Sequence, residues 1–93
     1  MKYQVIMRFV PDISEEKVDK YIEKAEKYAT LTRIDKWGKR KLAYDIRAKD
    51  KVWYGTAYTV CANATIKEIQ VTKLKKLFDT EDVIKFMMVR SGN

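Results

Sequence analysis

Three consecutive cations, Lys39, Arg40 and Lys41, form the densest cluster of chemically useful side chains in this 93-residue chain. They follow Gly38, and glycine adopts positive φ at no steric cost, so we predict a tight turn between two paired strands at this point. Cations on a rigid turn are held at a fixed spacing in water, where a polyanion can bind them. We therefore interpret the cluster as a phosphate-binding surface, with an ordinary polar hairpin tip as the alternative.

The charge of the whole chain agrees with a nucleic-acid partner. There are 20 Lys and Arg residues against 13 Asp and Glu, a formal net charge of +7. More cations follow the cluster at Arg47, Lys49 and Lys51. Each cation that meets a phosphate releases counterions, so we expect binding that weakens steeply with salt.

The composition excludes several chemistries. The chain has no histidine and one cysteine, Cys61, so neither a Ser-His or Cys-His nucleophile pair nor a set of thiol ligands can form. We expect no catalytic residues, no metal, no cofactor and no disulfide. A lone cysteine favours a reducing, cytoplasmic compartment. Because the sequence has neither a run of about 18 apolar residues nor a signal-peptide pattern, we expect no membrane association and no secretion.

Hydrophobic periodicity predicts the elements that position these cations. Alternation predicts strands over residues 3–10, 31–37, 42–46 continuing at 52–61, and 83–90. A first helix is predicted after Pro11, capped by Asp12 or Ser14. A second helix is predicted after a cap at Asn63 or Thr65. Its inward-facing residues are predicted to be Ile66, Ile69, Leu74, Leu77 and Phe78.

The predicted order is strand, helix, strand, strand, helix, strand in a single domain, residues 1–93. This is an α+β, ferredoxin-like β-α-β-β-α-β arrangement. Two right-handed crossovers give a four-stranded antiparallel sheet in the spatial order fourth, first, third, second strand, with two helices on one face. The other face is predicted to be open.

Apolar residues on both faces of the last predicted strand, together with Trp53 and Tyr58, indicate a protein partner. The candidates for partner contact are Trp53, Tyr58 and Met87, with core packing as the alternative for each. Aromatic residues on an open sheet can also stack on bases. The RNA-recognition motif does this with the same fold, but here Gly55 is followed by Thr56 where that motif has an aromatic residue.

Three stretches resemble the ribosomal protein S6 family of the bacterial small subunit. Residues 3–12 resemble its opening strand and its Pro-containing entry to a helix. Residues 38–44, Gly-Lys-Arg-Lys-Leu-Ala-Tyr, resemble its most distinctive motif, Gly-x-Arg-basic-Leu-Ala-Tyr. Residues 82–90 resemble its closing strand. The likeness spans nearly the whole chain in the same element order.

The resemblance implies a ferredoxin-like structural constituent of the small ribosomal subunit in the cytoplasm. It implies binding to the central domain of small-subunit ribosomal RNA, as a heterodimer with ribosomal protein S18 seated against the sheet. Carried over by position, it implies that seven cations approach RNA or the partner: Lys2, Arg8, Lys39, Arg40, Lys41, Lys85 and Arg90. Arg40 coincides with the motif's own arginine.

Two rival functions use the same fold. A ferredoxin-like homodimer that regulates an enzyme or binds a small ligand predicts a salt-insensitive dimer that retains no RNA. An acylphosphatase-like enzyme needs an arginine in a glycine-containing phosphate loop after the first strand, and residues 10–14 contain neither residue. We therefore expect no enzyme.

Overall fold

The structure is a computed structural model that describes residues 1–43, 46–48, 51–53 and 55–91, with 47–48 and 51–53 described by their backbone alone. Apolar and polar residues alternate in its strands and recur at helical spacing in its helices. The elements are β1 (Lys2–Phe9), α1 (Glu15–Ala25), β2 (Ala29–Lys41), β3 (Ile46–Ala48), β4 (Lys51–Trp53), β5 (Thr56–Ile66), α2 (Glu68–Leu77) and β6 (Val83–Arg90). None of the described helices is long and apolar enough to cross a bilayer.

The main sheet has the predicted ferredoxin-like topology. Its strands follow the antiparallel order β2-β5-β1-β6, so β2 and β6 are the outer strands. Side chains alternate across a strand, and Val5, Met7 and Phe9 of β1 point to the side that the helices cover. Ile6 and Arg8 point to the other side, which we call the open face.

The helices and the covered face of the sheet form the main hydrophobic core. Val5, Met7 and Phe9 are at most 1% exposed, and Val18 of α1 and Leu74 of α2 pack against them. Burial of such side chains is the main favourable contribution to folding. This core fixes which side of every strand is left for contact with other molecules.

The first helix begins where the sequence places it. Ser14 is the N-cap, and its hydroxyl oxygen accepts a hydrogen bond of 3.3 Å from the backbone N–H of Lys17. Ser14, rather than Asp12, is therefore the capping residue. Glu15 and Glu16 in the first turn lie at the positive end of the helix dipole.

The second helix begins later than predicted. Asn63 and Thr65 lie inside β5, so their prediction as helix caps is wrong. Pairing with β1 continues to Thr65, opposite Lys2, and this ladder outweighs the local capping preference. The shifted start changes which residues face inward: Ile69 is 77% exposed, whereas Val71 packs on the core.

The predicted turn at residues 38–41 is also wrong. β2 continues through this segment, and Lys39, Arg40 and Lys41 pair with successive residues of β5. Gly38 does have positive φ, +74°, but at a bulge where the register shifts between Lys36 and Gly38. A bulge uses the same backbone freedom of glycine as a turn does, so the residue type alone did not separate the two.

A small two-stranded ribbon, β3 paired with β4, lies between β2 and β5 in the sequence, and residues 44–45 of the strand predicted over 42–46 lie outside the described residues. Ile46 of the ribbon is 4% exposed and forms a second buried cluster with Ala57 of β5 and Ile84 of β6. The ribbon therefore covers one end of the open face, and the prediction of a wholly open face is wrong at that end. Lys49, one of the predicted cations, lies outside the described residues.

A second bulge in β2 holds a strained residue. The register with β5 shifts between Thr32 and Asp35, and Arg33 has a φ of +51°. A residue with a Cβ atom costs about 1–2 kcal/mol in this left-handed conformation, a cost that glycine does not have. We expect Arg33→Gly to raise the free energy of unfolding by about 0.5–1 kcal/mol, since extra freedom of the unfolded glycine offsets part of the gain.

Urea denaturation at constant m-value measures this effect. Arg33→Val is the matched variant, because a β-branched residue tolerates positive φ poorly, and it should lower the free energy of unfolding by about 1 kcal/mol. Equal midpoints for the two variants would contradict the strained geometry.

Candidate nucleic-acid interface

Three of the predicted cations meet on the open face. Arg8 of β1 lies opposite Lys85 of β6 on one side and opposite Thr59 of β5 on the other. Arg40 of β2 lies opposite Ala57, which is two residues from Thr59 and therefore on the same face. Arg8 and Lys85 therefore share one row across the sheet, and Arg40 lies in the next row on the same face. Neighbouring strands within a row are about 4.8 Å apart.

A concavity of about 310 Å³ lies at this end of the open face. Arg8 and Arg40 are in its wall with Lys41, which reaches it from the end of β2. Trp37, the extra residue of the bulge between Lys36 and Gly38, is also in the wall. Thr59 and Leu42 complete the lining, which we call the open-face concavity.

The tryptophan in this wall has a fixed position. Its indole Nε1–H donates a hydrogen bond of 2.8 Å to Oδ2 of Asp35. The guanidinium carbon of Arg40 lies 5.8 Å from the centre of the Trp37 ring, within the range of a cation–π contact. The ring is nevertheless 44% exposed. Sequence reasoning missed Trp37 as a site residue, although a large aromatic side chain beside glycine in a cationic segment was an available signal.

Within the described residues, the cations of the concavity are not paired with carboxylates. Among the described residues, the carboxylates form ion pairs with Lys17 and Lys36, and none with Arg8, Arg40 or Lys41. The Nε atom of Arg8 is buried and has no hydrogen-bond partner in the described part of the chain. An unpartnered buried donor is costly, so Arg8 has unused hydrogen-bonding capacity in this structure.

The structure separates the other predicted cations from this group. Lys39 lies opposite Tyr58, on the side that the helices cover. Lys2 is on the open face but six residues from Arg8 along β1, about 20 Å away at the rise of a strand. Arg90 lies opposite Tyr3, at the same far end. A single surface therefore does not contain all seven predicted cations.

An apolar strip continues the open face beyond the cations. Met87 of β6 lies opposite Ile6 of β1, and Ile6 lies opposite Cys61 of β5. Val89, two residues beyond Met87, is 52% exposed. Burial raises the pKa of the Cys61 thiol, which keeps it protonated and unreactive at neutral pH. We call Ile6, Cys61, Met87 and Val89 the apolar strip.

The other two candidates for partner contact do not join this strip. Tyr58 lies opposite Phe9 and packs, half-buried, against the main core on the side of the helices. The side chain of Trp53 lies outside the described residues. Within the described part of the chain, no group of three His, Cys, Asp or Glu residues is placed to hold a metal ion.

Residues 2–90 match the family described as ribosomal protein S6. The small ribosomal subunit protein bS6 of Desulforamulus reducens is 32% identical over 96 aligned positions, which cover 97% of this chain and 96% of the relative. The protein of the same name from Cutibacterium acnes is 37% identical over 73 positions, 73% of this chain and 76% of the relative.

A solved structure agrees with the topology described above. The crystal structure of 30S ribosomal protein S6 from Thermotoga maritima superposes with a TM-score of 0.77 and covers 97% of this chain and 86% of the other. At 16% identity this comparison shows the fold alone. The family match over residues 2–90 confirms the family that the sequence resembled: the chain belongs to the ribosomal protein S6 family.

Proposed function

We propose that this protein is a structural constituent of the small ribosomal subunit that binds small-subunit ribosomal RNA and catalyses no reaction. The observation that carries the proposal is the family match over residues 2–90. The matched family and the relatives described above are named as ribosomal proteins, not as enzymes. The ribosome, and in bacteria the cytoplasm, is the corresponding location.

The cations of the open face supply the RNA contact in this proposal. Arg8, Arg40 and Lys85 come from three different strands of one rigid sheet, so their spacing is fixed before RNA arrives. Such contacts bind phosphates and position the protein without reading base sequence. We include Lys2, Lys39, Lys41 and Arg90 as contacts of the same kind, and the central domain of the RNA as the binding region.

The apolar strip supplies the protein contact. We propose that ribosomal protein S18 binds against it as a heterodimer partner, with Met87 near the centre. A stable protein interface buries about 800 Å² on each partner. Four side chains provide only the centre of such an interface, so affinity for RNA and affinity for the partner are expected to reinforce each other.

Sedimentation of a tagged protein in cell lysate tests the ribosomal role. The tag is expected to travel with small subunits at low salt and to leave them as salt is raised, because phosphate contacts are screened. A tag found only in a light fraction, as a homodimer insensitive to salt, would support the rival regulatory module and overturn the proposal.

We expect Met87→Asp to weaken association with purified S18 at least tenfold. The substitution places a charge in the centre of an apolar contact, where burial without a partner is costly. Isothermal titration calorimetry measures the change. Ile69→Asp is the matched control, since Ile69 is 77% exposed on α2, away from the sheet. Equal effects of the two substitutions would place the partner elsewhere.

A further inference from the structure

The open-face concavity contains more than phosphate binding requires. A surface that binds only the phosphates of a duplex needs cations at suitable spacing, and an exposed tryptophan adds nothing to that contact. Trp37 is 44% exposed, yet its position is fixed by a hydrogen bond to Asp35 and by the guanidinium of Arg40. Bases stack on exposed aromatic rings. Because the fold already holds this ring in one position, a base that stacks on it causes little further loss of side-chain entropy.

The cations lie beside this ring, in the same wall. Arg8, Arg40 and Lys41 line the concavity, and no carboxylate is among its lining residues in the described part of the chain. Arginine binds phosphate through two parallel N–H donors, and the Nε of Arg8 is a buried donor that lacks a described acceptor. The lining of the cavity thus offers a π surface beside guanidinium and ammonium groups that can bind an anion.

The size of the concavity limits what can enter. Its volume of about 310 Å³ is at the lower end of the range for small-molecule sites, about 300–1,000 Å³. A base-paired segment is too large to fill it, whereas one nucleotide turned out of its strand combines a flat ring with a phosphate. Recognition of single-stranded RNA uses these two contacts, stacking on an aromatic or guanidinium plane and a charged contact to the backbone.

We propose that the open-face concavity binds one unpaired nucleotide, with its base stacked on Trp37 and its phosphate held by Arg8 and Arg40. The inference rests on the proposed function, in which the protein meets RNA on this face, and it adds that the contact requires an unpaired residue. The chemistry recognised is that of a nucleoside phosphate, and the source is either a single strand of RNA or a free nucleotide.

Nuclear magnetic resonance of the full chain tests this directly. The chain has two tryptophans, so in a Trp53→Phe background the remaining indole N–H signal belongs to Trp37. We expect uridine monophosphate and a hexauridylate strand to shift this signal, and uridine without phosphate to leave it unchanged. Tighter binding of the hexauridylate identifies RNA as the source, and tighter binding of the monophosphate identifies a free nucleotide. Equal shifts with a fully paired RNA duplex or with a hexaglutamate peptide would overturn the proposal.

Substitutions separate the two halves of the site. Arg8→Gln and Trp37→Leu should each lower affinity for hexauridylate at least about fivefold, followed through the amide signals of Leu42 and Thr59. Lys20→Gln on α1 removes one charge at a distance and should leave affinity unchanged. Unchanged affinity in both site variants would overturn the inference.

The outcome also separates this inference from the ribosomal role. A wild-type protein that sediments with small subunits but shows no response of the Trp37 signal to hexauridylate would overturn the nucleotide site alone. A protein that fails to sediment with small subunits would overturn the proposed function itself.

Discussion

Replacing Arg8, Arg40 and Lys85 together with glutamine is expected to lower affinity for small-subunit ribosomal RNA by about 10- to 100-fold at low salt. Each cation that neutralises a phosphate contributes about 0.7–0.9 to the slope of log affinity against log salt. The triple variant should therefore reduce that slope by about 2–3. Filter binding at four or more salt concentrations measures both quantities on the same RNA, with the partner protein present throughout.

A matched control separates position from total charge. Replacing Lys20, Lys24 and Lys27 with glutamine removes the same number of positive charges, three, from exposed positions in and just after α1. This control should change the salt slope by less than about one. Similar losses in the two triple variants would mean that net charge alone, rather than the open face, attracts the RNA.

Phe9→Ala is expected to lower the free energy of unfolding by about 3–5 kcal/mol. Phe9 is 0% exposed, and its ring centre lies 5.3 Å from that of Tyr21 and 6.3 Å from that of Phe78. Phe78 in turn stacks on Phe86 at 4.4 Å. Removing the ring leaves a cavity at the point where β1, α1 and the end of α2 meet.

That loss is a large fraction of the 5–15 kcal/mol typical of a domain. Urea denaturation should show a much lower midpoint at an unchanged m-value. Ile69→Ala, at an exposed position of α2, should change the free energy of unfolding by no more than about 0.5 kcal/mol. A loss below about 1 kcal/mol for Phe9→Ala would show that the aromatic cluster is not the centre of the core.

The parts of the fold that local patterns determine were predictable. Alternation over Val83–Arg90 gave the bounds of β6, and one of the two predicted caps, Ser14, is where α1 begins. The order of the elements, together with the right-handed crossover rule, then gave the strand order of the sheet. These features depend on short segments or on chain connectivity, which a sequence contains directly.

The incorrect predictions concern features that depend on pairing or packing with strands distant in the sequence. Gly38 suits a turn and a bulge equally, and the pairing partner on β5 selects the bulge. The ladder between β1 and β5 likewise extends β5 past Asn63 and delays α2. The packing of Ile46 over Ala57 depends on a ribbon that the periodicity of apolar residues does not predict.

The site was predictable in part. Local sequence identified Arg40 and Lys41 as candidate phosphate contacts, and the family resemblance added Arg8 and Lys85. Their meeting on one face required the register of three strand pairs. Trp37 was missed because only the bulge places it in the wall of the concavity with Arg8.

The two bulges of β2 protect an exposed edge of the protein. β2 is an outer strand, and a regular outer strand offers unpaired N–H and C=O groups on which another polypeptide can align and start an aggregate. Register shifts after Thr32 and after Lys36 interrupt that row twice within 13 residues. Such interruptions disfavour strand-by-strand growth of fibrils from this edge, which matters most for copies made in excess of the ribosomes available to receive them.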